Sequence, residues 1–153
     1  MGAVASPFDS WLTLRGLRTL HVRVQRQCET ALRLANFLND HDFCQAVHYP
    51  GLPSHPGHDI ANRQMKMGYG VVLSVELENE SQAMAVAGAL RLAQRATSLG
   101  GTETLVEHRA SIEPPGRVTS PPGLLRVSVG LEDADDLIRD FDSALSIAKS
   151  VAA

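Results

Sequence analysis

The apolar positions fall into stretches of two kinds, one with the three-to-four spacing of a helix and one with the strict alternation of a strand. From Leu20 the series Leu20, Val24, Cys28, Ala31, Ala35 and Leu38 lays one stripe along a long helix ending near Asn39-Asp40, with Arg23, Arg26, Glu29 and Arg33 on the polar face. Ahead of it, Ser6 before Pro7 supplies a cap and a first-turn residue for a short helix over 7–18 that carries Phe8, Trp11, Leu12 and Leu14. Phe43 to Tyr49 has the character of a first strand, closed by Pro50-Gly51-Leu52-Pro53, which no regular element accommodates. A loop over 54–57 leads to a short helix over 59–66.

Val71 to Leu77 gives the clearest alternation, with Val71, Leu73, Val75 and Leu77 on one face and Val72, Ser74 and Glu76 on the other. Ser81 then predicts a cap for a helix over 82–94, whose small inner residues Ala83, Val86, Leu90 and Ala93 suit close approach to a sheet. A short strand over 102–107, a loop over 113–123 with four prolines and a strong strand over 124–129 follow. Asp133 and Asp136 stand at the cap and first turn of a last helix, where carboxylates complement free amides and the helix dipole. Its stripe runs Ala134, Leu137, Ile138, Phe141, Ala144, Leu145 and Ala148.

These elements predict an α/β protein of the α+β kind: a small, mostly antiparallel sheet of about four strands with helices on one face, so that every stripe is buried together. A helical arm over 1–20 precedes a domain over 21–153. The 153 residues, 44% hydrophobic and 20% charged, suffice for one ordinary core. A net charge of -3 leaves no footprint for nucleic acid, and no apolar run reaches membrane-spanning length. Cys28 and Cys44 fit no metal or redox motif, and the first residues lack the features of a secretory signal. The expected setting is cytoplasmic, with free thiols.

Three runs taken in order add a further layer: Ser6-Pro7-Phe8-Asp9 with Leu14 to Leu20; Ser98-Leu99-Gly100-Gly101-Thr102-Glu103-Thr104-Leu105; and Leu125-Arg126-Val127-Ser128-Val129-Gly130-Leu131-Glu132. Tyr49-Pro50-Gly51-Leu52 with His55-Pro56, and Arg63-Gln64-Met65 before Gly68, fall in place between them. Over nearly its whole length the chain resembles the closing part of the Cys/Met metabolism enzymes dependent on pyridoxal phosphate, those of the cystathionine gamma-synthase, gamma-lyase and methionine gamma-lyase kind. The resemblance implies the small carboxyl-terminal domain of a fold-type I enzyme of transsulfuration acting on sulfur amino acids. In such enzymes pyridoxal phosphate is held by a lysine of a larger preceding domain, and neither Lys66 nor Lys149 matches that lysine. The chain is therefore expected to be a truncated piece, with no cofactor bound to it alone and no catalysis by itself. Its expected partner is the missing cofactor domain or a further copy of itself through the apolar arm. A stand-alone binding or assembly module is the alternative. An independent enzyme is disfavoured because no convincing nucleophile or acid and base pair appears.

Two residues carry the site expectation. Alternation places Arg126 with Leu124 and Ser128 on one face of a strand otherwise built for burial, where a guanidinium requires an anionic partner, either an internal carboxylate or a ligand. The resemblance implies the second, since the matching arginine grips the substrate's α-carboxylate with a planar fork. Ser98 matches the serine whose neighbourhood meets that carboxylate, although Ser98-Leu99-Gly100-Gly101 alone spells a glycine turn. Thr97 departs from the acidic residue that gamma-lyases often carry before this serine. His55 and His58 with Asp59 have metal-like spacing, but no further ligand set follows and a helix-capping loop histidine is expected. Glu103 and Glu107 are assigned to a solvated strand face and, with His108, to no chemistry, and Cys28 to the core.

Overall fold

A computed structural model describes residues 2 and 4–152 of the chain. Its helices are α1 (Pro7–Leu17), α2 (Leu20–Asn39), α3 (His58–Gln64), α4 (Glu80–Ala89), α5 (Arg109–Ile112) and α6 (Ala134–Ala152). Its strands are β1 (Ala46–His48), β2 (Val72–Glu76), β3 (Gln94–Arg95), β4 (Leu105–His108) and β5 (Leu124–Ser128), joined in one sheet in the order β1-β2-β5-β4-β3. Every pairing is antiparallel except that of β3 with β4. The class is the predicted one, with five strands where about four were expected.

The register decides which residues face the helices. Leu73 pairs with Val127, Val75 with Leu125 and Val127 with Val106, and all five are buried on the side where α2, α4 and α6 pack. Phe141, Leu137, Leu145, Leu34, Leu38 and Val86 complete that core. Several of these side chains lose essentially all contact with water, each burial stabilising by about 1.5–3 kcal/mol before the entropy of ordering is counted. The opposite face carries Ser74, paired with Arg126, and Glu107, paired with Arg126 from the other side.

Four local expectations need correction. The first strand covers only Ala46–His48, because Cys44 N–H turns back to the His41 carbonyl (2.9 Å) before pairing begins. Asn79, not Ser81, caps α4: its Oδ1 accepts from Gln82 N–H (3.0 Å), while the Gln82 side chain returns to accept from Glu78 N–H (3.2 Å), closing a reciprocal cap. That helix ends at Ala89 and does not run to 94, since the Asp140 carboxylate draws the amides of Arg91, Leu92 and Ala93 out of helical pairing. The freed chain makes β3 and not a further helical turn. Finally, Leu20 and Val24, at the head of the predicted α2 stripe, are 43% and 38% exposed; burial begins at Gln27 and Cys28, where the helix reaches the sheet.

Candidate functional site

β5 presents Arg126 on the face away from the core, between the buried Leu125 and Val127, and its side chain is 24% exposed. The chain between β3 and β4 passes beside it, so that Arg126 Nη2 donates to the Ser98 carbonyl at 3.1 Å. The two residues singled out in the sequence are thus brought together across 28 positions. The contact is made by the backbone oxygen of Ser98, and among the described residues its hydroxyl has no hydrogen bond.

Ser98 has φ +151°, a conformation uncommon for a residue with a side chain, held by its surroundings. Gly100, at φ +75°, turns the chain so that its N–H donates to Ser128 Oγ (3.1 Å). Gln27, buried on α2, donates to the carbonyls of Gly101 (2.7 Å) and Val129 (2.9 Å), tying the loop to the end of β5. Thr104 N–H and its hydroxyl both donate to the Glu132 carboxylate at 2.7 Å, and Gly130 N–H donates to Thr104 Oγ1 at 2.8 Å. The Ser-Leu-Gly-Gly run and the Val-Gly-Leu-Glu run are therefore two halves of one clamp. Its work is to hold the Ser98 carbonyl against Arg126.

The internal carboxylate that the sequence left open is Glu107. Its side chain is 4% exposed, and its Oε1 lies 2.9 Å from Arg126 Nε. The same oxygen accepts a hydrogen bond from Arg109 Nη1 at 2.6 Å. This corrects the expected solvated face: the carboxylate is covered by two guanidiniums, one from the neighbouring strand and one from the start of α5 just after β4, neither visible in the alternation of β4 itself. Glu107 Oε2 is buried without a hydrogen-bond partner among the described residues. Arg109 was missed because its local pattern marks it only weakly. An acid followed two places later by a base at a strand end was the only signal.

Strand alternation sends His108 to the other side, so it forms no pair with Glu107. Its Nε2–H donates to the Pro122 carbonyl (2.6 Å), which leaves Nδ1 to accept from Ser111 Oγ (2.5 Å). Arg126 Nη1 has no partner among the described residues, which leaves part of the fork free for an anion. Near Arg109, Glu113 is held below the usual carboxylate range, first by the Ser120 hydroxyl, then by Thr119 N–H.

His55 Nδ1 accepts from Gly57 N–H (3.0 Å) within the loop before α3, and no side chain caps the first turn of that helix, so the expected capping histidine is not found there. His58 donates to the Pro50 carbonyl (2.8 Å) and stacks on Tyr69, with ring centroids 5.7 Å apart. Cys28 is buried in α2 as expected. Among the described residues no group of three or more His, Cys, Asp or Glu is arranged to hold a metal ion, and no helix is long and apolar enough to cross a membrane.

The profile of the family described as Cys/Met metabolism PLP-dependent enzyme matches residues 1–146. The chain is 46% identical over 149 residues to cystathionine gamma-synthase of Mycobacterium tuberculosis, covering 94% of this chain and 38% of that protein. It is 44% identical to cystathionine beta-lyase of Coxiella burnetii, covering 95% and 39%. Among solved structures, cystathionine gamma synthase from Xanthomonas oryzae pv. oryzae in complex with aminoacrylate and cysteine superposes with a TM-score of 0.88 at 42% identity, over 97% of this chain and 40% of that one. The chain thus spans about two-fifths of the length of the relatives it matches.

Proposed function

Because the chain belongs to the Cys/Met metabolism family of pyridoxal-phosphate enzymes, we propose that residues 21–153 are the substrate-carboxylate-binding domain of a transsulfuration-type enzyme, synthase or lyase, acting on sulfur amino acids. The observation that carries this reading is the free edge of Arg126, aimed by the Ser98 carbonyl and the Glu107 carboxylate on a rigid strand. A planar guanidinium so held offers paired donors to an amino acid's carboxylate. Domain binding of this kind orients a substrate without moving a proton or breaking a bond.

Pyridoxal phosphate, where such enzymes bind it, supplies the electron withdrawal from the substrate's α-carbon. The lysines of this chain do not fit the group. Lys66 lines an open cavity of about 340 Å³ with Gln25, Cys28, Glu29, Leu32 and Tyr69, where no second cation is present to take a phosphate. Lys149 lies exposed on α6. In this reading the cofactor lysine stands in a segment outside the sequence, and the chain alone does not turn over substrate.

The arm over 1–20 is assigned to contact with that segment or with another copy of the chain. Helix α1 buries none of its own side chains, and Phe8, Trp11, Leu12, Leu14 and Leu17 are each at least 45% exposed. The unpaired thiols of Cys28 and Cys44 suit a reducing, cytoplasmic setting.

The test is calorimetric titration of the purified chain with L-cystathionine. The expected result is saturable binding that Arg126→Leu weakens at least tenfold, the scale of a charge-assisted hydrogen-bonded pair. The melting temperature should shift little, because Glu107 keeps its shorter bond to Arg109. A large loss of stability with unchanged binding would make Arg126 a structural ion-pair residue instead.

A further inference from the structure

One carboxylate oxygen stands between two cations on the open side of the sheet. Arg109 Nη1 meets Glu107 Oε1 at 2.6 Å with hydrogen-bond alignment, whereas Arg126 Nε lies 2.9 Å from the same atom without making such a bond. With Oε2 unpartnered, Glu107 offers neither arginine a two-pronged grip. Its single negative charge cannot neutralise both guanidiniums, and the better-bonded cation has the larger claim on it. On its far side Arg109 is 3.9 Å from Glu113, whose carboxylate is already engaged by Thr119 N–H and by the amide and hydroxyl of Ser120.

We propose that Arg109 is a positioning residue for the carboxylate site: by holding Glu107 it keeps the positive charge of Arg126 available to a ligand, while Glu107 fixes the orientation of the Arg126 fork. This rests on the reading of Arg126 as the carboxylate-binding residue. Arg109 does not touch the ligand. It acts by preventing Glu107 from closing fully on Arg126, which in its absence would become a self-satisfied ion pair competing with any incoming anion.

The inference makes a sign prediction that a merely structural Arg109 would not. Removing Arg109 weakens ligand binding, and then removing the charge of Glu107 restores it, because the internal competitor is gone while a neutral side chain of the same shape stays beside Arg126 Nε. The experiment is a double-mutant cycle on the whole chain, with L-cystathionine as the probe and calorimetry as the readout. Arg109→Leu is expected to raise Kd roughly tenfold, within the range for coupling between neighbouring charged groups. Glu107→Gln with Arg109→Leu is expected to return Kd to within about twofold of the parent chain. Arg109→Lys, which keeps the charge, is expected to bind nearly as the parent and guards against a folding defect in the leucine variant.

The inference is overturned if Arg109→Leu binds as the parent does, or if the double variant is as weak as Arg109→Leu alone. Both results leave the carboxylate site standing provided Arg126→Leu still weakens binding at least tenfold. If Arg126→Leu binds as the parent does, the carboxylate-site reading itself fails and this inference with it.

Discussion

Substitution of Gly130 by alanine tests the clamp that brings the Ser98 loop to Arg126. A β-carbon at this buried position would lie 2.4 Å from the Thr102 carbonyl oxygen, 2.5 Å from the Glu103 carbonyl carbon and 2.5 Å from Thr104 N, all backbone atoms, where ordinary contact is 3.4–4 Å. Relief therefore needs a separation of about 1 Å between the 102–104 segment and the end of β5. That segment cannot move freely: Leu131 N–H donates to the Thr102 carbonyl at 2.7 Å, Gly130 N–H to Thr104 Oγ1, and Thr104 doubly to Glu132. Overpacking costs about 1–3 kcal/mol, and stretching two of these hydrogen bonds adds about 1 kcal/mol each. The expected destabilisation is about 3 kcal/mol or more, a fall in Tm of roughly 6–12 °C for a chain of this size. Thermal denaturation followed by circular dichroism measures it. Gly88 in α4 is the control: nothing lies within 4 Å of its ideal β-carbon, so Gly88→Ala should leave Tm unchanged or raise it slightly. A Gly130→Ala chain melting within about 2 °C of the parent would refute the reasoning, since the close approach would then cost less than a kilocalorie.

The helix cap offers a contrast within three residues: Asn79→Ala should cost about 1 kcal/mol, while Ser81→Ala, already the second residue inside the helix, should be nearly neutral, both read from denaturant midpoints. Burial pushes the Cys44 thiol up to about 11, disfavouring the thiolate. Its alkylation by iodoacetamide, followed site by site by mass spectrometry, should accordingly be slow at pH 8 and rise about tenfold per pH unit toward pH 10. A rate that levels off by pH 9 would contradict that burial.

What was legible in the sequence is what rests on long, regular stripes. Helix α6, β2 and β5 follow the alternation or spacing of their apolar residues closely, because those residues lie in the core, in α6 from Ala134 to Ala148. β3 was illegible: Gln94 and Arg95 are polar and exposed, and only pairing to β4 makes them a strand. The start of α4 was read two residues late at Ser81, because the returning side chain of Gln82, which completes the cap at Asn79, is not visible in the local pattern. At the site, Arg126 announced itself as a charge in a buried strand, and the glycines of the Ser98 loop as a turn. Glu107 did not, because the guanidiniums over it come from another strand and from the start of α5, and a period-two pattern sees only its own strand. The exposed Leu20 and Val24 show the same limit from the other side, as a stripe on a helix can extend past the surface that covers it.

The central claim is that Arg126 itself receives a ligand's carboxylate. The most direct measurement is nuclear magnetic resonance of arginine side-chain nitrogens in the isotopically labelled chain, titrated with L-cystathionine. The account predicts that the Arg126 Nη signals and the Gly100 amide shift together, saturably, and that the response vanishes in Arg126→Leu. Saturable binding that leaves the Arg126 signals unmoved, or no binding at millimolar ligand, would contradict it.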